Sequence, residues 1–271
     1  MAIETQSAVQ GRAVSVEIHE AMLLDKPAIV SRMMLRFFGG LARENPFLKP
    51  QIERIRRRAL ALNRLEWRAL RAGVWKDFHQ HTHADLHMKL DAWLSDPTAL
   101  IENLDGRLTW IEGASEAQLA EETGHLPKGF FKLEEVADLA SSKLRAKGQD
   151  LQDIRRALVS SFFELLACHA PEETERIAQV KARVLGMGPA RAMAMKAATW
   201  QETKDLTLDQ MAERLSHLFA HPADKLTEIE QRLSEAEALS SQEVEARAAR
   251  IPAVILRLKD VLEAVQEPQP V

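Results

Sequence analysis

Between Arg32 and Lys76 stand twelve Lys and Arg residues against three acids, Glu44, Glu53 and Glu66, in a chain whose formal net charge is −4. A guanidinium is planar, stays charged and donates two parallel hydrogen bonds, so it suits phosphate and carboxylate oxygens. Read as one helix over residues 50–72, the block separates into two faces. Ile52, Ile55, Ala59, Leu62 and Ala69 form the core side. Arg54, Arg57, Arg64, Arg68 and Arg71 form a stripe on the other, about 25 Å long by helix rise. Arg32, Arg36 and Arg43 share a face of the preceding helix. These eight arginines are the expected nucleic-acid contacts, reading backbone charge rather than base identity. Glu66 falls on the apolar side and has no place in that scheme.

The segment FHQHTHADLH holds four of the nine histidines. His79, His83 and His87 are spaced i, i+4, i+8, and an i, i+4 pair chelates zinc when a third ligand arrives. In helical phase, however, His79 lies with Trp75, Leu86, Leu90 and Trp93. The row therefore reads as histidines at a core boundary, and no metal site is expected. Glu122 and His125 have an E-x-x-H spacing, but Gly124 interrupts it and no second copy exists. Cys168, the sole cysteine, lies beside His169 with no third catalytic member and reads as a buried structural thiol. Residues 132–166 have the outline of a helix-turn-helix with Arg155 and Arg156, against which Asp138, Asp150 and Asp153 would repel phosphate. Met187, Met193 and Met195 read as core filler. The chain has no Gly-rich phosphate loop, no G-x-S-x-G elbow and no suggestive carboxylate pair. A non-catalytic protein without a cofactor is expected.

The elements that must carry these residues are helical. Tyrosine is absent, glycine numbers only 11, and Ala, Leu, Glu, Arg and Gln recur, the residues that lose least on entering a helix. The composition and punctuation predict an all-α bundle of about ten helices. Pro27 opens the first, with Asp25 as its cap; Gly73 ends the basic helix; and a third runs over 74–94. Ser115 with Gln118 and Thr207 with Gln210 have capping-box spacing. Short linkage at Gly148 implies an antiparallel pair. Gly186 to Pro189 marks a boundary between a core domain, 14–188, and a C-terminal subdomain, 189–266. The latter is expected to end in a hairpin of helices 223–239 and 241–266, kinked at Pro252. Residues 1–13 and 267–271 read as disordered tails, and Val14, Val16 and Ile18 alternate as in a short strand. No internal repeat of fixed period is visible.

No apolar run is long enough to span a bilayer, and the N-terminal residues lack the pattern of a secretory signal, so a cytoplasmic protein is expected. The leading expectation is a nucleic-acid-binding regulator or a non-catalytic subunit of a nucleoprotein complex. The rivals are an adaptor, chaperone or assembly subunit meeting an acidic protein, and a histidine-site metalloprotein. The C-terminal hairpin would serve self-association or a protein partner.

Overall fold

Short polar side chains start the helices of this protein. In the computed structural model, which describes residues 26–144 and 150–263, five helices begin with a complete capping box. They pair Asn63 with Glu66, Thr82 with Asp85, Ser115 with Gln118, Thr207 with Gln210 and Ser240 with Glu243. In each, the cap side chain accepts from the N3 backbone N–H while the N3 side chain accepts from the cap N–H. Proline precedes or opens most of the others, where its missing N–H costs nothing.

The described residues form fourteen α-helices and no strand. The first seven are α1 (Ala28–Glu44), α2 (Lys49–Ala61), α3 (Arg64–Phe78), α4 (His83–Ser95), α5 (Thr98–Gly113), α6 (Glu116–Thr123) and α7 (Lys128–Lys143). The next seven are α8 (Leu151–His169), α9 (Thr174–Gly186), α10 (Pro189–Thr203), α11 (Leu208–Ala220), α12 (Pro222–Ala238), α13 (Ser241–Ala248) and α14 (Ala253–Glu263). The fold is all-α, as the composition predicts.

The second seven repeat the first. Lys49 and Thr174, Arg64 and Pro189, His83 and Leu208, Glu116 and Ser241, and Lys128 and Ala253 each open equivalent helices 125 residues apart. The 3-10 turns Pro46–Leu48 and Pro171–Glu173 keep the same interval. No insertion or deletion is needed from residue 28 to residue 138. The two main cores correspond as well. Phe38, Leu41, Ile52, Ile55 and Leu108 pack in one, and their counterparts Phe163, Leu166, Ile177, Val180 and Leu233 pack in the other.

The repeats interlock through their seventh helices. α14 packs on α1 and α4 of the first repeat, while α7 packs on α8 and α11 of the second. Val261 thus completes the first core and its counterpart Val136 the second. A local two-fold axis passes between Thr82 and Thr207, which form an antiparallel bridge. His83 N donates to Leu206 O at 2.8 Å, and its counterpart Leu208 N donates to His81 O at 3.2 Å. Ala84 N donates to Lys204 O at 2.9 Å, and Asp209 N to His79 O at 3.0 Å, again as symmetric partners.

Several expectations are corrected. The basic rod 50–72 is two helices, because Leu62 is extended and Asn63 caps a new start. Glu66, without a role in the single-rod reading, closes that cap. Gly73 lies inside α3 rather than ending a helix, and the helix expected over 74–94 divides at residues 79–82. The arm expected over 241–266 divides at Pro252 into α13 and α14. A repeat of fixed period exists. The terminal tails, the alternating Val14 to Ile18, Asp25 and Gly148 lie outside the described residues.

Candidate functional site

The α3 arginines point inward. Arg64 is buried, at 4% exposure, and its guanidinium donates to both oxygens of Asp138 at 2.9 and 2.6 Å. Its third carboxylate contact is Glu134 at 3.3 Å. Arg68 Nε donates to both Glu134 oxygens at 3.1 Å and its carbon stands over the Phe131 ring. Arg71 lies 3.6 Å from Glu134 and 4.9 Å from the centre of the Phe130 ring. Burial pushes the Arg71 guanidinium below its ordinary range, partly opposed by the Glu134 charge. Buried Glu134 is therefore shared by three arginines, and the group fastens α3 to α7.

The other arginines of α1 and α2, the expected contacts together with Arg58, which was not among them, divide between structure and surface. Arg58 on α2 donates from Nε to Glu112 at 2.8 Å and from a terminal nitrogen to Thr109 Oγ1 at 3.0 Å; it also pairs with Asp105. These bonds, that to Glu112 foremost, hold the arginine above its usual range and Glu112 below the carboxylate range. Arg54 reaches Asp105 at 3.2 Å with more than half of its side chain exposed. Arg57 is exposed and forms no ion pair among the described residues. On α1, Arg36 is buried and donates to Leu262 O at 3.2 Å. Arg32 is half-buried, Arg43 is exposed, and both have partners. The eight arginines do not form one continuous cationic stripe.

The histidines line the seam between the repeats. His79 Nδ1 lies 2.7 Å from Asp209, and His83 Nδ1 lies 3.0 Å from Thr203 Oγ1. The His87 ring stacks on Trp200 at 4.2 Å and 2°, with His83 edge-on at 4.5 Å. Burial, helped by the nearby His83, pushes His87 down to about 4; burial also lowers His83. No group of three or more His, Cys, Asp or Glu among the described residues is arranged to hold a metal. Glu122 pairs with Lys76 at 2.5 Å rather than joining His125. Cys168 is exposed, which corrects the expected buried thiol: it falls on the outer face of α8. Met187 and Met195 do pack against the second core.

No protein-family model, curated protein or solved structure matches this chain. The comparison that remains is internal. Arg183, Glu237 and Ser234, the counterparts of Arg58, Glu112 and Thr109, make the same clamp at 3.0, 2.8 and 3.0 Å. Arg107 with Asp77 recurs as Arg232 with Glu202. Such pairs belong to the fold. The turn between α1 and α2 recurs, but its side chains do not. Arg43, Phe47, Lys49, Arg54 and Arg57 face Cys168, Glu172, Thr174, Gln179 and Ala182 as counterparts. Phe47 is 95% exposed at this corner. Sequence reading missed it because a single Phe between Pro46 and Leu48 carries no periodic signal, and it missed Glu134 and Asp138 because no spacing links them to α3.

Proposed function

We propose that the protein is a non-catalytic adaptor or assembly subunit that meets an acidic protein partner at the α1–α2 corner. One observation carries this reading: Phe47 is 95% exposed just before α2, the helix that carries Lys49, Arg54 and Arg57, and the second repeat has Glu172, Thr174, Gln179 and Ala182 at these four positions. A single exposed apolar side chain is ordinary on a protein surface. The weight therefore lies on its combination with Lys49, Arg54 and Arg57, none of which has a basic counterpart in the second repeat. Aromatic residues and arginine are also the types enriched at interface centres. Lys49, Arg54 and Arg57 would steer an acidic surface to the ring and tune its approach rate.

A nucleic-acid reading is favoured by the same aromatic ring, which offers a stacking platform for an unpaired base beside cationic side chains. It would use Arg54 and Arg57 with Lys49, since Arg64 and Arg68 are engaged in holding α7. Full-length protein purified at low salt separates the two readings through its ultraviolet absorbance ratio and the mass spectrometry of retained proteins. The adaptor reading expects an acidic protein retained by the wild type and lost with Phe47→Ala or Arg57→Glu. Equal retention by all three forms rejects it, and nucleic acid retained in the same Phe47-dependent way selects the second reading.

A further inference from the structure

An open apolar cleft of about 650 Å³ lies between the two repeats. Helices α1, α3 and α5 supply most of its walls, α7 and α14 add to them, and Leu158 on α8 and Leu208 on α11 close the far side. The local two-fold does not reproduce it. Val30, Trp67, Val74 and Leu100 line the cleft, whereas their counterparts are Arg155, Ala192, Thr199 and Lys225. Contiguous apolar surface of this kind marks a place where something binds. Because the apolar wall occurs once per molecule, its cover is expected once as well.

One stretch of the sequence also occurs once. α7 precedes α8 and packs on it, but the matching place on α1 is taken by α14, from the far end of the described chain. Residues 1–25, which lie ahead of the described residues, therefore have no place in the duplicated pattern. Within them Val14, Val16, Ile18, Met22, Leu23 and Leu24 concentrate apolar side chains in a short run. The described chain starts at the edge of the cleft. Lys26 Nζ donates to Leu62 O at 2.7 Å and to Leu60 O, close to the wall residue Ala59, and Ile29 and Val30 already line the cleft. A segment tethered there is present at a roughly millimolar effective concentration, which favours it over a free molecule of similar chemistry. The walls also hold the indoles of Trp67 and Trp75, whose N–H groups form no hydrogen bond among the described residues. Each can donate to a peptide carbonyl.

We propose that residues 14–24 of this chain dock along the cleft and cover it. The site is separate from the Phe47 corner and does not rest on the partner-binding reading. The full chain carrying photoreactive benzoylphenylalanine in place of Ile18 tests it. Irradiation of a dilute sample should give a cross-linked monomer, with the link mapped by mass spectrometry to peptides containing Trp67, Leu104 or Leu262. These positions are far from residue 18 in sequence, so the tether alone does not bring them near. Val74→Glu changes a wall position that is itself partly exposed, so the fold should tolerate it. A charge there has to be desolvated under the segment, and the yield should fall about 10-fold. Hydrogen exchange on the chain without the probe gives a second reading. Amides of residues 14–24 should exchange more slowly than in the same sequence as a free peptide, and Val74→Glu should remove that protection. Links between two chains would make a second copy the occupant and overturn the proposal. Links confined to other surfaces, no link, free-peptide exchange in the wild type, or protection unchanged by Val74→Glu overturn it as well.

Discussion

Arg57 and Arg64 lie on one face of a hypothetical continuous helix, yet their surroundings make them opposites. Removing one member of a buried ion pair leaves the other charge stranded, so Arg64→Met should destabilise the fold by about 3–5 kcal/mol in urea unfolding. Arg57→Ala, at an exposed site without an ion pair, should stay within about 0.5 kcal/mol of wild type. A result in which both cost the same would contradict the described burial. The histidines make a second prediction at this scale. In the folded protein His87 is held at about 4, and His83 is also lowered, against an ordinary value of 6.5. The unfolded chain therefore takes up protons between pH 6.5 and about 4 that the folded chain refuses. That contribution is fully present above pH 6.5 and diminishes as pH falls through this window. Thermal melts across it should show the loss, and His87→Phe, which can still stack on Trp200, should flatten the profile. The residue chemistry was legible in kind, but burial partners from distant helices were not.

Helix boundaries were legible where a short polar cap preceded a matching N3 side chain, as at Ser115 and Thr207. The same rule covers Asn63 with Glu66 and Thr82 with Asp85, but there the dominant arginine and histidine patterns suggested uninterrupted helices. The apolar positions misled in the same direction, because Ile52, Ile55, Ala59, Leu62 and Ala69 are all buried on both sides of the break. Asn63→Ala should cost about 1 kcal/mol in chemical denaturation, the usual worth of an N-cap. An unchanged midpoint would mean that the bend at Leu62 is held by packing alone. Gly40 serves the packing of elements in a different way. A Cβ there would overlap the backbone carbonyl of Val261 on α14. Gly40→Ala should therefore cost about 1–3 kcal/mol as overpacking, with the melting temperature as readout.

At the scale of the molecule, the helical class followed directly from composition, whereas the duplication was hidden. Identical residues stand at only 22 of the paired positions between 28–138 and 153–263. They include Phe38, Trp75, Thr82, Pro97, Arg58 and Glu112 with their counterparts, residues tied to core, cap and clamp. The connecting surfaces have diverged in charge, with Glu134 facing Lys259 and Phe47 facing Glu172 as counterparts. Such scattered agreement becomes visible only when helices supply the alignment. Because α7 and α14 each pack on the opposite repeat, α7 on both, calorimetry should find one unfolding transition rather than two. Trading helices within a single polypeptide also fixes how the halves respond to dilution and to mutation. A pair of separate chains would come apart as concentration fell and would suffer every substitution twice. Here the partner is covalently present at any concentration, so one half can acquire a new surface while its twin continues to hold the shape.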